Sequence, residues 1–209
     1  TDIQLDNLVK VIRREQLNVL CISIRASAYA EQARILTEHI HNELDIPVLW
    51  GGMHPTIAGD ECIEHADMIL QGEGELALVD FADRLRDGAE IDDTPNIWFR
   101  HSSTQVTKNA LRPLVQNLDD LAFRDYTTHE HKYFINGNSY TIGDPMKGDP
   151  VFQMMGSRGC IYKCSYCYNS TYKKDVYPGQ KWFRVRSPAS MIEEIKKAQE
   201  HWPMKRIRF

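Results

Sequence analysis

The chain has 209 residues, 42% of them hydrophobic and 26% charged, with a formal net charge of −4. That is room for one large domain or two small ones, with no basic surplus for holding nucleic acid. No apolar run approaches the ~18 residues of a membrane-spanning helix and the start carries no signal-peptide pattern, so neither a membrane nor a secretory route is expected.

In chain order, Leu5, Leu8, Val9 and Ile12 recur at helical spacing and predict an opening amphipathic helix. Residues 18–24 form a continuous apolar run with a β-branched bias, which predicts a strand buried on both faces. A helix over about 28–44 follows, with Ala33, Leu36, Ile40 and Leu44 on one side. Ile46–Trp50 ends at Gly51-Gly52, and Asp67–Leu70 ends at Gly72-Glu73-Gly74-Glu75, ahead of a helix over about 75–86. Strands alternating with helices through short loops predict a Rossmann-like, doubly wound parallel sheet. Ligands of such sheets bind beyond the carboxyl ends of the strands, where these glycines lie.

Residues 96–100 and 105–107 read as a small hairpin, and 111–150 as a polar, proline-containing connector. Gln153-Met154-Met155 reads as a strand entering a cysteine-rich loop. Ser187-Pro188 then caps and starts a helix that turns Met191, Ile192, Ile195 and Ala198 inward. Strand, loop, helix and closing strand predict the start of a β/α barrel. The expected organisation is a sheet domain over 1–110, the connector, and the beginning of a barrel over 151–209. A start without methionine and a closing strand at Lys205–Phe209 suggest part of a longer protein.

Cys160, Cys164 and Cys167 stand in a Cys-x3-Cys-x2-Cys run. Five cysteines scattered at random over 209 positions would give this spacing roughly 0.001 times per chain, so chance is a poor explanation. Three thiolates on one short loop can hold three irons of a 4Fe–4S cube and leave the fourth open to a ligand, whereas electron-transfer ferredoxins close all four with cysteine. A zinc site would want a fourth ligand; His131 or His201 could supply one, without the usual short spacing. A local trio makes poor disulfide arithmetic, and such thiols suit a reducing compartment, the cytoplasm by default.

Gly156–Cys167 resembles the Cys-x3-Cys-x-aromatic-Cys signature of the radical S-adenosylmethionine (radical SAM) superfamily, without a departure. The resemblance implies that Cys160, Cys164 and Cys167 carry a 4Fe–4S cluster whose open iron binds S-adenosylmethionine. One-electron reduction, by a partner such as flavodoxin or ferredoxin, then yields a 5′-deoxyadenosyl radical that abstracts hydrogen from a small-molecule substrate. Tyr166 would contact the adenine, while Arg158, just before the loop, would tune the cluster, pair across the domain interface or stand solvated.

Residues 18–75 resemble the cobalamin-binding domain that precedes many radical SAM barrels. The pieces are Cys21–Ile24, Trp50–Thr56, Ala66-Asp67 and Gly72–Glu75, with Arg112-Pro113-Leu114 and Asn117–Leu121 resembling the connector of the same group. On this likeness the domain's first strand would precede Thr1. Ser23, Gly51, Gly52 and the 72–75 loop would cradle cobalamin. Turns and helix caps explain the same residues without a ligand. The Asp-x-His-x-x-Gly motif that supplies cobalt's lower ligand in some cobalamin proteins does not occur, as is usual in the radical SAM group. His54 is expected to order its loop, and His129 and His131 to lie at the surface. The resemblance implies a cobalamin-dependent enzyme, with methyl transfer to an unactivated carbon as the leading expectation. A radical cyclase or rearrangement enzyme, a vestigial cobalamin domain, or a zinc-stabilised binding module with no turnover stand as alternatives.

Overall fold

The computed structural model describes residues 2–126, 133–136, 139–143 and 149–209. The chain sorts into two compact units that are not consecutive in sequence: Val9–Leu114 with Cys164–Gln180, and Thr1–Leu8 with Val115–Lys163 and Lys181–Phe209.

The opening helix α1 spans Asp2–Glu15 and buries Val9 and Ile12. In the first unit a five-stranded sheet runs β1 (Leu20–Ser23), β2 (Val48–Gly51), β3 (Met68–Leu70), β4 (Ile97–Arg100), β5 (Val106–Lys108). The first three are parallel, with Ser23 opposite Gly51 and Trp50 opposite Ile69. The expected hairpin forms as β4 and β5, and it extends this sheet by pairing antiparallel to β3. α2 (Ala30–Glu43), α3 (Met53–Ile57), α4 (Gly59–Cys62) and α5 (Glu75–Asp87) fill the connections.

Successive strand residues point to opposite faces, and the two faces are packed by different helices. Leu49, Met68 and Leu70 join Ala77 and Phe81 of α5 with Ile97 and Phe99 of β4 in one core cluster. Trp50, one residue along β2, instead donates its Nε1–H to Thr37 Oγ1 of α2 at 2.8 Å. β2 and β3 are therefore buried on both sides. β1 departs from expectation: it lies at the sheet edge, and Cys21 and Ser23 are exposed. A continuous apolar run records hydrophobicity and is silent on lateral neighbours.

In the second unit β8 (Val151–Gln153) and β11 (Arg206–Arg208) pair in parallel with α7 (Pro188–Gln199) between them, a β-α-β unit as the barrel reading required. Ser187 caps α7, its Oγ accepting from Ser190 N at 3.1 Å, with proline at the first turn. Phe152 and Met154 pack with Tyr126, Ala198 and Trp202, flanked by Met191 and Ile195. Ile192 faces outward, 54% exposed, against expectation. It lies one residue, about 100°, round from Met191. Glu194 is buried in its place, held by the Tyr126 hydroxyl at 2.7 Å and by Arg186. The β9 (Ser157–Arg158) and β10 (Arg184–Val185) strands pair antiparallel, and the connector contains a further antiparallel pair, β6 (Tyr133–Asn136) with β7 (Ser139–Ile142). His129 and His131 lie outside the described residues.

Candidate functional site

The carboxyl ends of β1, β2 and β3 bring Ser23, the Gly51-Gly52 pair and the Gly72–Glu75 loop to one edge of the sheet. Past the last β1–β2 pair, Ile24 N donates to Gly51 O at 2.7 Å and His54 N donates to Ile24 O at 3.1 Å. This return brings backbone against backbone at Gly52, whose φ is +101° and where a Cβ would fall 2.8 Å from Ile24 O. Glycine is required there by the turn itself. Gly51 is different, since a Cβ on it would meet Leu70 Cβ at 3.8 Å and Leu49 Cδ2 at 4.0 Å, both ordinary contacts.

The two glycine loops are joined through Thr56 of α3. Its Oγ1 donates to Gly52 O at 2.8 Å and accepts from Gly72 N at 2.9 Å. Around Gly72 lies a group of buried polar side chains. Asn96, in the left-handed region at φ 73°, donates Nδ2 to Gln71 O at 2.8 Å and accepts from Arg112 N through Oδ1 at 2.9 Å. Gln71 donates Nε2 to Pro55 O at 3.2 Å. Tyr177, 1% exposed, accepts from Glu73 N at 3.2 Å. Gly74 forms the N-terminal boundary of α5 without a side-chain cap, and Glu75 places its carboxylate in the first turn, where the helix dipole favours it.

Cys164 and Cys167 belong to the unit of this sheet and Cys160 to the other. All three are free thiols; Cys164 is exposed, and the others are half-buried. The segment closes on itself, Cys164 O accepting from Cys167 N at 3.1 Å and from Ser170 Oγ at 2.8 Å. Asn169 Nδ2 lies 3.6 Å from Cys167 Sγ. A short helix, α6 (Tyr168–Thr171), then continues as a π-helical turn over Tyr172–Val176. Among the described residues no three His, Cys, Asp or Glu side chains stand together as a metal site. The donor set of three uncommitted thiols nonetheless has the chemistry that iron–sulfur clusters use.

The tyrosines around the cysteine loop stand in different surroundings. Tyr166 is 91% and Tyr162 69% exposed, while Tyr168 and Tyr172 stack edge to face with centroids 5.5 Å apart. Tyr172 is buried and hydrogen-bonded to Thr56, and burial pushes its phenol up to about 12. His54 is buried, with Ser27 Oγ at 3.0 Å from Nδ1, which suits a loop-ordering residue. Arg158 lies in β9 opposite Arg184. Gln71, Asn96 and Tyr177 escaped sequence reasoning, and Thr56 stood in the Trp50–Thr56 piece with no role assigned to it. The sole local signal was asparagine after Thr94-Pro95, a turn-forming run.

Residues 1–82 match the family model of the B12 binding domain. Over its whole length the chain is 24% identical to an uncharacterised methyltransferase of Pyrococcus horikoshii, of which it covers 42%. It is 25% identical over 88% of its length to the hopanoid C-3 methylase of Methylococcus capsulatus, covering 33% of that protein. Among solved structures it superposes on the radical S-adenosylmethionine methyltransferase TsrM of Kitasatospora setae with a TM-score of 0.62 and 15% identity, over 94% of this chain and 38% of that one. The cobalamin-dependent S-adenosylmethionine radical enzyme OxsB aligns with a TM-score of 0.64 and 18% identity, over 96% of this chain and 26% of that one. The chain thus spans about two fifths or less of the curated relatives cited, and the solved structures establish likeness of fold. With a B12 binding domain matched along its sheet and the Cys-x3-Cys-x2-Cys loop beyond it, the chain is similar in sequence to these methyltransferases and in fold to the cobalamin-dependent radical S-adenosylmethionine enzymes.

Proposed function

We propose that this chain is the cobalamin-binding sheet and cluster loop of a radical S-adenosylmethionine methyltransferase acting on an unactivated carbon of a small-molecule substrate. The observation that carries the reading is that Cys164 and Cys167 fold within the same compact unit as the B12-binding sheet. Methyl transfer is favoured over cyclisation because the hopanoid C-3 methylase and the Pyrococcus horikoshii protein both bear names of methyl-transferring enzymes.

Cys160, Cys164 and Cys167 would hold a 4Fe–4S cluster, and the exposed Tyr166 beside them is available to an adenine ring. Ser23, Gly51 and the Gly72–Glu75 loop would line the cobalamin side. When bound, the cluster with S-adenosylmethionine supplies radical generation and cobalamin supplies the methyl group. The chain's own part is to fix the sheet edge: Thr56 ties Gly52 to Gly72, and Tyr177 holds the Glu73 amide. A one-electron donor such as a flavodoxin or ferredoxin completes the system in the cytoplasm. Among the described residues no helix is long and apolar enough to cross a membrane.

The test is to purify the full-length protein without oxygen from cobalamin-supplied cells and to quantify iron, sulfide and corrin per chain. About four irons, equal sulfide and one corrin are expected. Iron without corrin, even after added cobalamin, would remove the cobalamin half of the reading. Zinc in place of iron would overturn it entirely.

A further inference from the structure

Tyr177 lies just beyond the π-helical turn that follows Cys164 and Cys167, and nothing in the cysteine chemistry requires it. It is almost completely enclosed, and its hydroxyl meets a backbone 104 residues away. There it accepts the Glu73 N–H at 3.2 Å and fills the space beside Gly72, where a Cβ would come within 1.8 Å of Oη. Gly72 holds a φ of +77° at this point, and its N–H is already committed to Thr56. Tyr172, one turn earlier in the same segment, reaches the same Thr56. Tyr177 therefore holds the turn at the end of β3 directly, and Tyr172 reaches it through Thr56. A partly buried amide left without its acceptor is costly, so the turn and the segment hold one another in a single arrangement.

We propose that Tyr177 is a positioning residue: it fixes the Gly72-Glu73 turn to the segment that carries Cys164 and Cys167, and so sets the shape that the sheet edge offers to cobalamin. The proposal rests on the cobalamin reading above. Its observable consequence is a turn that is slow to open before any cofactor arrives and a corrin affinity that depends on a hydroxyl making no corrin contact.

The experiment compares full-length wild type with Tyr177→Phe, which removes one oxygen and keeps the ring that fills the cavity. Amide hydrogen exchange over residues 72–76 is followed without cofactor, and binding of added hydroxocobalamin is then titrated. In Tyr177→Phe, exchange is expected to quicken and the dissociation constant to rise several-fold to about tenfold, the worth of one hydrogen bond. Wild-type iron and sulfide content in the variant shows that the fold is intact. Tyr177→Trp, overfilling the same space, is expected to disturb both readouts further. Unchanged exchange overturns the proposal. Faster exchange with unaltered hydroxocobalamin affinity overturns it as well, leaving Tyr177 a purely structural contact. A wild type that takes up no corrin overturns the proposed function and this role together, whereas normal uptake by both proteins overturns the role alone.

Discussion

The hydroxyl of Tyr177 occupies the space that any side chain at Gly72 would need, 1.8 Å from the position of a Cβ. Gly72→Ala must therefore expel a fully buried ring and also bear a side chain at φ +77°. The left-handed conformation alone costs about 1–2 kcal/mol and displacing the ring a further 1–3 kcal/mol. A fall in urea-unfolding stability of about 2 kcal/mol or more is expected. Stability within 0.5 kcal/mol of wild type, the scatter of neutral surface changes, would mean that this packing does not exist in solution.

Gly51 separates ligand from scaffold. A methyl group there meets Leu70 Cβ at 3.8 Å without strain, so Gly51→Ala should leave the unfolding midpoint nearly unchanged. If Gly51 is bare because a cobalamin lies against it, the alanine variant loses corrin while keeping its stability. Retention of a full corrin complement would return Gly51 to the role of an ordinary strand end.

Cys164 is exposed, and its thiol packs into no core. Cys164→Ala is therefore expected to change folding stability by no more than about 0.5 kcal/mol. Iron per chain should nevertheless collapse, and deoxyadenosine formation from S-adenosylmethionine should disappear, because three thiolates cannot be replaced by two. Deoxyadenosine at the wild-type rate would sink the cluster assignment.

Legibility from sequence followed the range of the interactions. β2 and β3 announced themselves as apolar runs closed by glycines, and a strand buried on both faces leaves that trace wherever it sits. β1 has the same kind of run yet lies at an edge, because pairing is decided by other segments. On α7 the spacing of Met191, Ile195 and Ala198 was sound. A pattern that counts apolar residues added Ile192 and overlooked Glu194, whose burial depends on Tyr126 and Arg186. At the site, the glycines were visible and their reasons were not. Gly52 answers to Ile24 and Gly72 to Tyr177, contacts across 28 and 105 positions of chain that no local motif encodes. Asn96 takes a positive φ that asparagine tolerates better than most residues, and that preference becomes informative once its partners Gln71 and Arg112 are known.

Alkali should expose this packing through two buried acids. Burial pushes Cys62 from an ordinary value near 9 up to about 12, with Glu61 adding to the effect, and pushes Tyr172 from near 10 up to about 12. In both cases the folded chain keeps a proton that the unfolded chain releases more easily. The resulting stability is whole below pH 9, begins to fall as unfolded Cys62 ionises, falls faster above pH 10 as unfolded Tyr172 joins it, and is spent near pH 12. Each pH unit between a group's two values is worth about 1.4 kcal/mol, so the loss is large beside the 5–15 kcal/mol of a typical domain. Urea unfolding from pH 8 to 11 should show a flat region followed by this decline. Tyr172→Phe keeps the ring and removes the acid, so its decline above pH 10 should be shallower than that of the wild type. An identical slope in the two proteins would show that Tyr172 is not buried at the end of the sheet.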